Sequence, residues 1–335
     1  MKGMILAAGL GTRLLPLTQF IPKPLLPILN TPMLRYCLEL FHHFGIQDVT
    51  INTHHLNDQI NRFLEEMKGF SFQISHESII LGSFGGVRKM WDLIGHEPII
   101  SMNSDIVTTL DLHALINAHR EKLSLITIGL IPGRGEGTYT NVWVGKDGRI
   151  LSVGGEAPKP EALRTHYCGI QILEPPIKDW LESGQYGELN PVVFQRALTE
   201  KIPFYGYVSQ SLWYDGGSPT HLLNTNKMLL TLLEQKNEEF SPLFRGLCPT
   251  YREISPGIFV GKGTTFESTV ELRGPLVIGS NCDLRGKGVV GPFVTIGDKV
   301  SFSNVSSITE SIVLPGTKKS NQSYSNVILS PWCRA

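Results

Sequence analysis

Short apolar runs alternate with amphipathic stretches over the first two-thirds of the chain. The runs MILAA, DVTINT and PIISMNS, bounded by turn residues, read as buried strands. Residues 34–44 and 56–67 carry apolar positions at helical spacing and read as helices between them. Two stretches around 141–151 and 167–173 are rich in strand formers, and a helix from about 219 to 237 closes the region. The alternation predicts an α/β domain with a mixed, mostly parallel sheet, whose ligands meet the carboxyl ends of its strands.

After Cys248 the pattern changes. Every sixth residue is large and apolar: Ile254, Val260, Phe266, Leu272, Ile278, Leu284, Val290, Ile296, Phe302, Ile308 and Leu314. The register breaks at Ser320. A six-residue period is the mark of a parallel β-helix, in which each face of the coil sends one side chain inward per hexad. The expected organisation is therefore a first domain over 1–240, a hexapeptide coil over 250–317, and a segment over 318–335 that caps the coil or returns to the first domain. Hexapeptide coils also occur in acyltransferases, which need a histidine base. No histidine follows His221, so the coil reads as a structural or assembly element, and a homo-oligomer is expected.

Composition narrows the classes. The chain has 335 residues, zero net charge and 41% apolar residues, which suits a two-domain globular protein. No basic block suggests nucleic-acid binding, and no run reaches membrane-spanning length. The apolar opening MKGMILAAGL is short and leads straight into Gly-Thr-Arg, with no processing site. Cys37, Cys168, Cys248, Cys282 and Cys333 lack metal-ligand spacing and read as reduced thiols of a cytoplasmic protein.

The chemistry concentrates near the start. The first apolar run ends in Gly9-Leu10-Gly11-Thr12-Arg13, a strand that stops at a glycine turn and presents backbone N–H groups able to cradle phosphate. Arg13 adds a planar cationic fork, and Lys23, stiffened between Pro22 and Pro24, adds a point charge. The arrangement suits a triphosphate. It is not a Walker A loop, and Leu14 stands where a dinucleotide motif needs its third glycine. Asp105 follows the third apolar run, and Asp215 lies in Trp213-Tyr214-Asp215-Gly216-Gly217 before the closing helix. Taken alone, each aspartate is a common helix-cap or turn residue. Together they could clamp Mg²⁺, which takes one or two carboxylates and completes its shell with substrate phosphates. The pairs His42-His43 and His54-His55 point their neighbouring rings apart and read as surface or packing residues.

G-x-G-T-R followed by P-K-P-L resembles the sugar-1-phosphate nucleotidyltransferases, with likeness extending over nearly the whole chain and closest to mannose-1-phosphate guanylyltransferase-like proteins. The resemblance implies a Rossmann-like nucleotidyltransferase domain followed by a left-handed parallel β-helix. It implies transfer from an NTP to a sugar 1-phosphate, with pyrophosphate released. In that reading Arg13 and Lys23 are catalytic, and Asp105 and Asp215 hold Mg²⁺. Ala7, Ala8, Gly9, Gly11 and Thr12 contact the nucleotide, and so do Leu81, Gly82, Gly85 and Gly86 of the segment ESIILGSFGGV. Asn141, Glu156 and Gly169 fall where relatives contact the sugar phosphate. GTP with mannose 1-phosphate is the leading pair; UTP or dTTP with glucose 1-phosphate, or an amino-sugar phosphate, are the alternatives. The departures fall at base and sugar positions. Ile79 replaces an acid, Phe84 replaces a small residue and could narrow the base pocket or restack the base, and Ala157 replaces a lysine that holds the sugar's phosphate, with Lys159 two places out of register. Tyr167 replaces an asparagine and Asn141 a glycine. These leave a second reading open, a nucleotide-sugar-binding regulatory subunit without turnover. A dinucleotide oxidoreductase is the weakest reading.

Overall fold

The computed structural model describes residues 1–133, 139–320 and 322–332; Cys333 lies outside them. The strand Lys2–Leu6 stands at the centre of a mixed sheet. It pairs in parallel with Asp48–Thr53 on one side and with Ile99–Asn103 on the other, and Asp48–Thr53 pairs in parallel with Ser71–His76. Beyond Ile99–Asn103 the long strand Leu163–Leu173 runs antiparallel and carries Ile126–Pro132 and Asn141–Val144. The expected helices appear as Met33–His43 and Asn57–Glu65. Val49 to Thr53 are buried without alternation, which is why that strand reads as a continuous apolar run. The core on one side of the sheet gathers Met4, Phe84, Trp91, Ile99, Ile128 and Phe204. Phe84 and Trp91 are fully buried, a contribution of about 1.5–3 kcal/mol each.

The chain divides into two compact units, each built from two separate stretches of the sequence. One comprises Met1–Leu10 with Tyr36–Trp213, the other Gly11–Arg35 with Tyr214–Ala335. In the second unit the hairpin of Pro27–Ile28 and Thr31–Pro32 is fastened to later residues. Asn30 Nδ2 donates to the Ile296 carbonyl (2.7 Å) and to Tyr251 Oη (3.2 Å). Asn226 Oδ1 accepts from the Leu29 N–H (3.3 Å) and from Thr295 Oγ1 (2.8 Å). The Phe20 and Trp332 rings stack with centroids 5.1 Å apart and planes 9° from parallel.

The hexad reading needs correction at both ends. Ile254 is 52% exposed, because Arg252–Ser255 folds back antiparallel onto Ile258–Val260 rather than entering the coil. Phe266 is also exposed. From Ile258 onward the strands stack in parallel: Ile258, Leu276 and Val294 align, eighteen residues apart, as three hexads require. The stacking does not stop at residue 317. Thr295 aligns with Ile312 and Ile312 with Ile328, so successive turns shorten to seventeen and then sixteen residues. Val313, rather than Leu314, therefore falls in the column of Ile296. The described part of 318–335, expected as a cap or return segment, supplies a further rung, with Tyr324 and Leu329 buried in the coil's core. The three residues lost over these two turns hide this rung from a fixed six-residue count.

Candidate active site

In the first unit, the loop that follows the central strand is tied down from beneath. Ala7 and Ala8 are nearly buried, and the Ala7 N–H donates to Asn52 Oδ1 (2.7 Å). The Ala7 amide is thus taken up within the protein. Asn52 Nδ2 donates to Glu77 Oε1 (2.7 Å), and Glu77 Oε2 accepts from the Leu81 N–H (2.9 Å). His54 Nδ1 meets the Glu77 carbonyl (2.7 Å). Asn52 and Glu77, both buried, therefore bridge the loop after the first strand to the glycine-rich segment. Sequence reasoning assigned neither a role. A carboxylate just ahead of a glycine-rich run, directly after a strand, was the available signal.

Gly86 belongs to the same network. A Cβ there would lie 2.5 Å from Asn52 Nδ2 and 2.8 Å from Glu77 Oε1, so only glycine lets the pair form. The N–H groups of Phe84 and Gly85 donate to the Gly187 carbonyl (2.8 and 2.9 Å), and the Ser83 N–H to Glu188 Oε2 (3.1 Å). The start of the helix Gly82–Ile94 is thus satisfied by the protein itself. Gly85 and Gly86 are buried supports, while Leu81 and Gly82 lie at the turn they hold in place. Phe84, expected at the base pocket, is wholly buried in the core, so its size is taken up by packing. Ile79 is 75% exposed. At Gly9 a Cβ would meet nothing within 4 Å, which leaves room for close approach of a ligand.

Asp105 lies in the turn between Ile99–Asn103 and the short strand Ile106–Thr108, at the carboxyl edge of the sheet. The Ser104 N–H donates to the Leu6 carbonyl (3.2 Å), which aligns this turn with the end of the first strand. Burial, reinforced by the Asp105 charge, pushes the neighbouring Cys37 thiol far up, so it stays protonated. Thr108 Oγ1 and the Thr109 N–H both donate to the Leu212 carbonyl (2.7 and 3.1 Å), three residues ahead of Asp215. Gly169, at a break in pairing on the long strand, takes φ +85° and sits against the Asn103 side chain. Asn141 Oδ1 accepts from Arg164 Nε (2.9 Å), and its Nδ2 approaches the Gly155 carbonyl, next to exposed Glu156. The Tyr167 ring meets Phe194 edge-on, with centroids 5.7 Å apart. Ala157 and Lys159 are exposed.

In the second unit, the cationic pair is organised around Gly11. This residue adopts φ +64°, and a Cβ on it would come within 3.0 Å of Lys23 Cβ and 2.9 Å of Thr18 Cγ2. Its carbonyl accepts from the Leu14 N–H (2.8 Å) and Thr18 Oγ1 (3.0 Å). The nine residues between Arg13 and Lys23 thus fold back, and half-buried Lys23 stands beside the glycine turn. Thr12 and Arg13 open the short helix Thr12–Leu14 and are exposed.

Asp215 also belongs to this unit. Its Oδ1 accepts from the Gly217 N–H (2.9 Å) and from His221 Nδ1 (2.7 Å), and its carbonyl accepts from Thr225 Oγ1 (2.7 Å). Asp105 and Asp215 supply hard carboxylate oxygens. Among the described residues no group of three or more His, Cys, Asp or Glu could hold a metal by itself. A carboxylate of this kind is chemically suited to Mg²⁺, which takes one or two such groups and completes its shell with substrate phosphate and water. The four described cysteines are buried and free of disulfides. No helix among the described residues is long and apolar enough to cross a membrane.

Comparison with known proteins follows the same lines. The family model described as nucleotidyl transferase matches residues 2–231. A UTP–glucose-1-phosphate uridylyltransferase of Synechocystis is 30% identical over 310 residues, covering 87% of this chain and 77% of that protein. A mannose-1-phosphate guanylyltransferase of Mycobacterium tuberculosis is 24% identical over 307 residues, covering 90% and 80%. Among solved structures, a glucose-1-phosphate thymidylyltransferase of Bacillus anthracis, itself a provisional assignment, superposes with a TM-score of 0.59 at 21% identity, over 68% of this chain and 94% of that one. A UDP-glucose pyrophosphorylase superposes equally well at 19% identity, over 69% and 98%. The solved structures carry the fold of the first domain.

Proposed function

Because the chain belongs to the nucleotidyl transferase family, we propose that it transfers a nucleotidyl group from an NTP to a sugar 1-phosphate, releasing pyrophosphate. An oxygen of the sugar phosphate attacks the α-phosphorus, and the bond to the β-phosphate oxygen breaks in line. Such transfers depend on positioning and charge stabilisation. Backbone N–H groups from Gly9 to Thr12 cradle the triphosphate, and Arg13 neutralises the departing pyrophosphate. Lys23 steadies the α-phosphate and the attacking group. Asp105 and Asp215 hold Mg²⁺, which when bound neutralises phosphate charge and orients both substrates. Leu81 and Gly82 face the base, with Gly85 and Gly86 shaping the loop behind them. Asn141, Glu156 and Gly169 hold the sugar phosphate.

The observation that carries this reading is the packing of Lys23 against Gly11, which brings the two halves of the motif together in one turn. Lys23→Ala and Asp105→Asn are each expected to lower turnover about a hundredfold or more, the scale for losing a preorganised charge. Turnover within a few-fold of wild type in both would remove the site assignment.

For the substrates, the residue pattern pointed to GTP and mannose 1-phosphate, whereas the 30% similarity to the Synechocystis protein favours UTP and glucose 1-phosphate. Pyrophosphate release with Mg²⁺ over a grid of NTPs and sugar 1-phosphates separates them. Silence across the grid with nucleotide binding retained would favour a regulatory subunit, as the absence of a lysine at Ala157 suggests. The coil over 258–329 is left-handed in this reading and assembles a homo-oligomer. Buried free thiols suit the reducing cytoplasm, where both substrates occur.

A further inference from the structure

His221 lies in the first turn of the helix Pro219–Glu234, whose N-cap is Ser218. Its backbone N–H is taken by the Ser218 hydroxyl (3.2 Å), as an ordinary cap requires. Its side chain contributes nothing to that cap. It turns back across the Gly216-Gly217 turn, and Nδ1 reaches Asp215 Oδ1 at 2.7 Å. Thr225 stands four residues further on, the spacing that places two side chains on one helix face. Its hydroxyl holds the Asp215 carbonyl at 2.7 Å. One helix face therefore grips the side chain and the main chain of the same aspartate. The Gly217 N–H supplies a second bond to Oδ1 at 2.9 Å.

We propose that His221 is a positioning residue for the metal site: its Nδ1–H fixes the plane of the Asp215 carboxylate and so aims Oδ2 at the cation. The proposal rests on the reading of Asp215 as a metal ligand. The two bonds to Oδ1 set the carboxylate plane, and that plane sets the direction of the second oxygen. Asp215 is 12% exposed and His221 27%, so solvent competes little for the bond. A ligand carboxylate held by such an outer partner binds its metal more tightly; removing the partner typically weakens affinity by about ten- to a hundredfold.

The test is Mn²⁺ binding to the full-length chain, read by electron paramagnetic resonance with UTP and again with GTP, without sugar phosphate. His221→Leu is expected to weaken Mn²⁺ binding about tenfold or more. His221→Asn places an amide nitrogen near the position of Nδ1 and should bind within about threefold of wild type. Wild-type affinity in the leucine variant, or equal weakness in both variants, overturns the proposal. If the leucine variant does not fold, His221→Gln replaces it. Glutamine puts its donor nearer the place of Nε2 and should bind about tenfold more weakly than asparagine; equal affinities of the two would overturn the proposal. Asp215→Asn separates the two levels of the argument. Undiminished Mn²⁺ binding there removes the metal-ligand reading itself. Weakened binding there with none in His221→Leu removes only the role of His221.

Discussion

Phe84 shows how a single residue can be misread when its neighbours in space are unknown. Counted along the sequence it falls inside a base-binding loop, where bulk would alter the pocket. In the fold it points into the core beside Met4, Val87 and Trp91. Phe84→Ala is accordingly expected to lower stability by about 3–5 kcal/mol, with nucleotide preference unchanged. Denaturant unfolding and the substrate grid check the two halves separately, and a shifted preference at normal stability would return Phe84 to the pocket. Gly11, Arg13 and Lys23 were legible because short, rigid motifs carry their own geometry. Asn52, Glu77 and His221 were not, because each acts through a partner. Asn52 joins strands from two parts of the sheet, Glu77 spans from Asn52 to Leu81, and the His221 side chain gains its meaning only when the Gly216-Gly217 turn brings Asp215 back to it.

At the scale of elements, periodicity was read well wherever the period held. The parallel strands around Lys2–Leu6 and the hexad columns from Ile278 to Ile308 were visible because each requires one residue type at a fixed spacing. The antiparallel strand Leu163–Leu173 was seen only in part, since pairing direction leaves no mark in a single run. The last rung escaped because coil length is not constant: the turns shrink from eighteen to sixteen residues, and columns counted by six drift away. If that rung bears load, Leu329→Ala should cost about 2–5 kcal/mol, the range for a buried leucine. A loss below half a kcal/mol, the level of surface substitutions, in urea unfolding would reduce it to a surface strap.

For the whole molecule, the unit boundaries change what truncation should do. The stretch Gly11–Arg35, which carries Arg13 and Lys23, belongs to the same compact unit as the coil. Asn30 donates to Ile296 and Tyr251, so ending the chain near Cys248 removes partners from the hairpin that follows Lys23. Such a chain is expected to lose activity, and not only the assembly proposed for the coil. Asn30→Ala tests the link without truncation: lost bonds of this kind cost about 1–3 kcal/mol when they leave a buried group unsatisfied. Activity that survives truncation unchanged would show that the first 248 residues are self-sufficient.

The stacked pair Phe20–Trp332 has a practical use. Phe20 falls between Arg13 and Lys23 in the sequence, and Trp332 is one of only five tryptophans in the chain. Its indole is therefore a native optical probe of the proposed phosphate loop. With the other four tryptophans replaced by phenylalanine where folding permits, the emission of Trp332 would report in real time whether the loop shifts as a triphosphate arrives and again as pyrophosphate departs.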